Sequence, residues 1–161
     1  MLGKMNEAIE QRKQGNLKES NSLLLELVGV HPNDAVLNYQ CAWSYDVLGE
    51  ETKAVPFYEK AIELGLSGKE LEGAFLGLGS TYRTIGEYEK SKETFSKAIA
   101  QFPNNKALQV FYSMTLYNLK QHHQAMEILL NCLLETTTDE DILRYTKALR
   151  FYSTQLDTVW S

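Results

Sequence analysis
Along the chain, large and small side chains recur at fixed intervals and in a fixed order. An adjacent pair, Cys41-Ala42, is followed by Tyr45, Gly49, Ala54, Tyr58 and Ala61, at spacings of 3, 4, 5, 4 and 3. The same spacings recur in Leu78-Gly79, Tyr82, Gly86, Ser91, Phe95 and Ala98, and again in Tyr112-Ser113, Leu116, Lys120, Ala125, Leu129 and Cys132. An earlier copy keeps the latter half: Gly15, Ser20, Leu24 and Leu27. Steps of 3 and 4 predict helices, and a glycine between two such runs predicts a turn. Each copy therefore reads as helix, turn, helix. The turn positions Gly15 and Gly49 lie 34 residues apart, as do Gly86 and Lys120, whereas Gly49 and Gly86 are 37 apart. The extra three residues fall around Lys69 to Leu71. After the last copy, Ile142, Tyr145, Leu149, Tyr152, Leu156 and Val159 continue at 3, 4, 3, 4 and 3. This stripe predicts one amphipathic helix over 139–160, roughly 33 Å long.

Position by position, the residue sizes agree with paired helices. Ala42, Gly79 and Ser113 are small midway along a first helix, where a bulky side chain would block the neighbouring helix. Ala54, Ser91, Ala125 and Ser20 are small early in a second helix, and Tyr58, Phe95 and Leu129 fill the space beside them. Gly15, Gly49 and Gly86 suit a left-handed backbone. Lys120 in that place predicts a looser turn or strain of about 1 kcal/mol. Asn33-Asp34 and Asn104-Asn105 offer N-capping side chains after Pro32 and Pro103. Ser67 with Glu70 predicts a capping box and a lengthened helix after it. Pro56, near the start of a second helix, predicts a bend without a break.

This skeleton resembles the tetratricopeptide repeat family. The resemblance implies an all-α fold, a right-handed superhelical solenoid of four helix-turn-helix hairpins plus a C-terminal capping helix. The repeats run at about 1–34, 35–68, 72–105 and 106–139, the capping helix covers about 139–160, and 1–161 forms a single domain. The first repeat departs from the family pattern, with Glu7 and Gln11 where the family prefers Leu and Tyr, and only Ala8 fitting. A polar outer face suits a terminal repeat.

Composition narrows the function. The 161 residues are 43% hydrophobic and 23% charged, which excludes wholesale disorder. A net charge of −5 argues against a phosphate backbone as partner. No apolar run is long enough for a membrane helix, and the charged start, Met1 to Gln11, does not read as a signal peptide. Cys41 and Cys132 make no disulfide framework, which points to the cytoplasm. Both fall on inward repeat positions, as small core residues. His122-His123 reads as a solvated turn, and Glu50-Glu51 and Asp139 to Asp141 as solvated helix ends. No P-loop, G-x-S-x-G, H-E-x-x-H or zinc pattern occurs, so neither enzyme activity nor a metal or cofactor is expected.

The resemblance also implies where a partner would bind. The family's groove offsets fall on Met5, Ile9 and Arg12, on Tyr39, Trp43 and Asp46, on Leu76, Ser80 and Arg83, and on Val110, Met114 and Tyr117. One branch of the family clamps a terminal carboxylate with Lys, Asn and Arg. The matching positions here hold Met5, Ile9, Gln40, Gly73 and Gly77, so that clamp is absent. An apolar peptide segment is the expected ligand, and its protein of origin is unknown. Two alternatives stay open: a groove filled by the chain's own side chains or last helix, and a homodimer made through the groove or that helix.

Overall fold
Four times along the chain, one residue with a left-handed backbone ends one helix and starts the next. Gly15, Gly49, Gly86 and Lys120 have φ of 85°, 72°, 84° and 61°. The amide after each donates five residues back: Asn16 to Gln11, Glu50 to Tyr45, Glu87 to Tyr82 and Gln121 to Leu116, at 2.8–3.0 Å. This closure satisfies carbonyls that a helix end leaves without partners. The computed structural model describes residues 1–161 and contains ten helices and no strand. They are α1 (Leu2–Lys13), α2 (Leu17–Val30), α3 (Ala35–Asp46), α4 (Glu51–Glu63), α5 (Gly68–Thr84), α6 (Tyr88–Gln101), α7 (Lys106–Asn118), α8 (His122–Thr136), α9 (Glu140–Leu143) and α10 (Thr146–Ser153). None is long and apolar enough to cross a membrane.

The chain divides into two compact units, Met1–Glu87 and Tyr88–Ser161. In the first, α1 pairs with α2 and α3 with α4, while α3 also lies against α1 and α5. Its core falls in two clusters. Ala8, Leu24, Leu27, Leu37 and Cys41 form one, and Ala42, Ala54, Tyr58, Ala61, Leu66, Ala74, Leu78 and Tyr82 the other. Buried Asn21 donates to Ser44 Oγ at 2.8 Å, and that hydroxyl donates to the Cys41 carbonyl, so these two side chains between α2 and α3 are answered internally. In the second unit α7 packs on α6 and α8, and α10 on α8. Phe95 and Leu108 are fully buried there, and the Ser91 and Thr115 hydroxyls meet at 2.8 Å.

The expected small positions are buried, and Tyr58 and Phe95 fill the space between helices. Asp34 and Asn105 cap α3 and α7 through the amides of Leu37 and Leu108. At 17 residues α5 is the longest helix, as the insertion predicts. Its expected capping box does not form. Ser67 holds the N-cap place but makes no side-chain cap bond, and the next residue, Gly68, has φ 59°. α4 runs on through Pro56. Leu129 is not a core residue: it is exposed on α8, while Ala125 and Cys132 carry the buried face.

The largest correction lies at the C-terminus. In place of one helix over 139–160 the chain forms a four-residue helix and an eight-residue helix, broken at Arg144-Tyr145. Asp139 caps the first through the Ile142 amide. At the break, the Thr146 hydroxyl donates to the Leu143 carbonyl at 2.7 Å, a side-chain bond that competes with the helical ladder. The inward face is Ile142, Thr146, Leu149 and Ser153, so Tyr145 and Tyr152 point outward despite matching the stripe. Beyond Thr154 the chain turns. Trp160 packs against Phe151 and, edge-on, against Tyr152 at ring separations of 6.0 and 5.6 Å, and Asp157 pairs with His123.

Lys120 supplies a direct test of the turn. A left-handed non-glycine residue costs more than glycine does there, offset in part by glycine's freer unfolded chain. Lys120→Gly should raise unfolding free energy by about 0.5–1 kcal/mol, read from urea midpoints. A loss of stability would show that the fourth turn is unstrained.

Candidate functional site
Tyr39, Trp43 and Asp46 follow one another at 4 and 3 residues and so share one face of α3. Opposite them, α5 presents Gly73, Leu76, Gly77 and Ser80. Together with Val47 and Tyr58 these residues line a cleft of about 370 Å³ within the first unit. Trp43 is 42% exposed, whereas Tyr39 and Leu76 are half-buried.

The two glycines explain why the cleft has this shape. A side chain at Gly73 would collide with the Tyr39 hydroxyl, and one at Gly77 would overlap the Tyr58 ring. These are two of the positions where the carboxylate clamp would need long polar side chains. Here the space is taken by phenol rings from α3 and α4. The rings of Tyr39 and Trp43 lie 6.0 Å apart, and those of Tyr39 and Tyr58 6.3 Å, which joins the cleft wall to the core in one aromatic row.

Arg12 reaches in from α1. Its guanidinium lies 4.0 Å above the Trp43 ring and donates to the Gln40 side-chain oxygen at 2.6 Å. Burial lowers its pKa from the usual arginine value, opposed by the nearby Tyr39 and Tyr58. A cation in this place is worth about 0.5–2 kcal/mol and holds the indole flat. Gln40, at another clamp position, thus serves Arg12 rather than a ligand.

Asp46 is the one carboxylate on the cleft lining. Tyr58 donates to its Oδ2 at 2.5 Å and Thr81 to its Oδ1 at 2.9 Å. Burial raises its pKa above the ordinary aspartate value, more than those two hydroxyls lower it, and Glu51 adds to the rise. Its bonded partners are neutral hydroxyls.

The remaining positions expected to face a ligand are dispersed. Met5 and Ile9 are half-buried on α1, with Met5 packed on the first core cluster, and neither they nor Arg83 line the cleft. Val110, Met114 and Tyr117 share one face of α7 in the second unit, where Tyr117 is 64% exposed and its ring lies 4.9 Å from His122. Sequence reasoning missed Val47 and Tyr58 as lining, and it had placed Gly73 and Gly77 only as positions of the absent clamp. Tyr58 matched a packing position, and its hydroxyl end, which reaches the cleft, carries no signal in the repeat pattern.

The other chemistry-bearing residues are occupied structurally. Burial pushes the Cys41 thiol up to about 12 and raises that of Cys132. His122 and His123 start α8 rather than sit in the turn before it, and both are exposed. No three His, Cys, Asp or Glu side chains converge as a metal set would.

An all-helical array of hairpins closed by left-handed turns, with an aromatic cleft on its first helices, is the architecture of a helical-repeat protein. The sequence profile of the Tetratrico peptide repeat family matches residues 35–156, and the chain belongs to that family. Among characterised proteins it is 26% identical over 105 residues to Superkiller protein 3 of Saccharomyces cerevisiae, a match covering 61% of this chain and 7% of that protein. Solved structures with the same fold include a MamA protein, at 17% identity and TM-score 0.76, covering 94% of this chain and 85% of that one. MamA 41-end from Desulfovibrio magneticus RS-1 aligns at 15% identity and TM-score 0.75, over 95% and 86% of the two chains. The APC/C hetero-tetramer Cut9-Hcn1 aligns at 14% and 0.75, over 92% of this chain and 29% of that one. The fold is therefore the all-α tetratricopeptide-repeat solenoid, a class that serves generally as a protein-interaction scaffold.

Asp46 yields a pH signature. Because folding raises its pKa, the native state keeps this proton longer than the unfolded chain, so stability falls as pH rises between the ordinary aspartate value and the raised one. Asp46→Asn should remove that part of the slope. Denaturant titrations across acid to neutral pH should show the two proteins diverging only in that window, and parallel curves throughout would mean that burial does not shift the group.

Proposed function
We propose that this chain is a non-catalytic interaction scaffold, an adaptor or chaperone-like binder, that grips an apolar peptide segment on Tyr39, Trp43 and Leu76. The observation that carries this reading is the open cleft of about 370 Å³ walled by those side chains. An exposed indole and a half-buried phenol beside a shaped cleft are the residue types that dominate peptide affinity. In this reading residues 1–161 act as a single interaction domain, in keeping with a family match that runs across both compact units. Met5, Ile9, Arg12, Asp46 and Arg83, and Val110, Met114 and Tyr117 on α7, extend or support the peptide surface. Two free, buried thiols suit a reducing compartment, the cytoplasm. The acidic balance disfavours nucleic acid as partner.

The test separates binding from folding. Trp43→Ala should weaken a peptide selected on the wild-type chain by about 2 kcal/mol or more. It should cost much less stability than Phe95→Ala, which empties a fully buried site at about 3–5 kcal/mol. Equal destabilisation by the two would make Trp43 a core residue and end the reading.

Self-association is the second reading, favoured by a specific surface. Phe151, Tyr152 and Trp160 pack on one another yet each remains about half exposed, and Val159 is 92% exposed. If this cluster makes a dimer, light scattering should give twice the 18.3 kDa monomer mass, and deleting residues 154–161 should return it to the monomer value. A wild-type chain that scatters as a monomer at high concentration rejects the dimer.

A further inference from the structure
Within the first unit's cleft, one group is held ready without a partner of opposite charge. Asp46 accepts one hydrogen bond on each oxygen, from Tyr58 and from Thr81. A carboxylate offers about four acceptor sites, so each oxygen retains capacity. Both donors are neutral, and the charged neighbour that acts on Asp46, Glu51, has the same sign. A half-buried carboxylate fixed by two hydroxyls and left without a cation is costly to a scaffold that has no use for it.

The surroundings specify what would answer it. Trp43 and Tyr39 precede Asp46 on the same face of α3, and Leu76 faces them from α5. Aliphatic and aromatic walls leading to a carboxylate match a side chain with a long apolar stem and a cationic end. The chain contains its own instance of half this arrangement, since the Arg12 guanidinium already lies over the Trp43 ring at 4.0 Å. The net charge of −5 favours approach of a basic segment as well.

We propose that this cleft receives a lysine or arginine side chain of the bound peptide, its stem against Trp43 and Leu76 and its cation on Asp46. The proposal rests on the peptide-groove reading and adds to it that the segment is basic as well as apolar.

A displayed library of random peptides, about twelve residues long, selected in parallel on the wild-type chain, on Asp46→Asn and on Trp43→Ala tests both levels. Wild-type winners should carry lysine or arginine beside apolar residues, and that basic preference should vanish on Asp46→Asn. A winner resynthesised with an acetylated amino terminus, so that only its side chain is cationic, should bind at least about tenfold more weakly once its basic residue is replaced by norleucine. The calorimetric comparison of those two peptides uses the wild-type protein alone and needs no variant to fold. Winners with no basic enrichment, or a norleucine peptide that binds equally well, overturn this inference and leave the peptide-groove reading standing. Winners indifferent to Trp43→Ala, or a library that enriches nothing, overturn both.

Discussion

Tyr58 joins the packing of the repeats to the chemistry of the cleft. Its ring is buried between α3, α4 and α5, over the space that Gly77 leaves open, and its hydroxyl bonds Asp46. Burial pushes that phenol's pKa up, so it stays a donor across all ordinary pH. The consequence is a directional constraint. The ring occupies the space that a Cβ at residue 77 would enter, and its hydroxyl, together with that of Thr81, answers the half-buried Asp46. One rotamer of Tyr58 therefore serves both the packing of the scaffold and the carboxylate of the cleft.

The same logic extends outward through Tyr39 and Trp43. Tyr39 needs the bare backbone of Gly73, and Trp43 leans on Tyr39 while Arg12 covers it. Gln40, buried beneath, keeps Arg12 in place through the 2.6 Å bond. Few rotatable groups are left free along this row, so a ligand meeting it would order little that is not already ordered. The absence of clamp-type cations follows from the same packing, because the two glycine positions that would bear them are needed to admit rings. What the surface offers in exchange is aromatic area beside a single carboxylate.

The C-terminal segment obeys a different balance. Its apolar residues match a continuous stripe, yet only Ile142, Thr146, Leu149 and Ser153 turn inward, and α10 is anchored chiefly on α8. Arg150 adds a bond to Asn131. A helix with partners on one face for only part of its length gains little by continuing. Thr154, Thr158 and Val159 are weak helix formers. The tail turns instead, and Trp160 finds Phe151 and Tyr152.

The repeat architecture was legible in the amino-acid order because it is set by local rules. A left-handed position every thirty-odd residues, capping side chains after Pro32 and Pro103, and alternating small and large residues each act within a turn or two of their own place. Burial of Ala42, Ala54, Phe95 and Cys41 followed from that register. That Trp43 and Asp46 share a face of α3 was legible from their spacing, whereas Leu76 of α5 was set beside them only by the offsets that the family resemblance implies. What the spacing could not supply were relations between helices: which ring would enter the gap at Gly77, that Arg12 would be spent on Trp43, and that Leu129 would stay exposed. Nor could it show that the last stripe would break at Tyr145, because periodicity states which residues could share a face but not whether a neighbour is long enough to cover it. Those outcomes depend on side chains brought together from distant parts of the chain, and only the tertiary structure decides them.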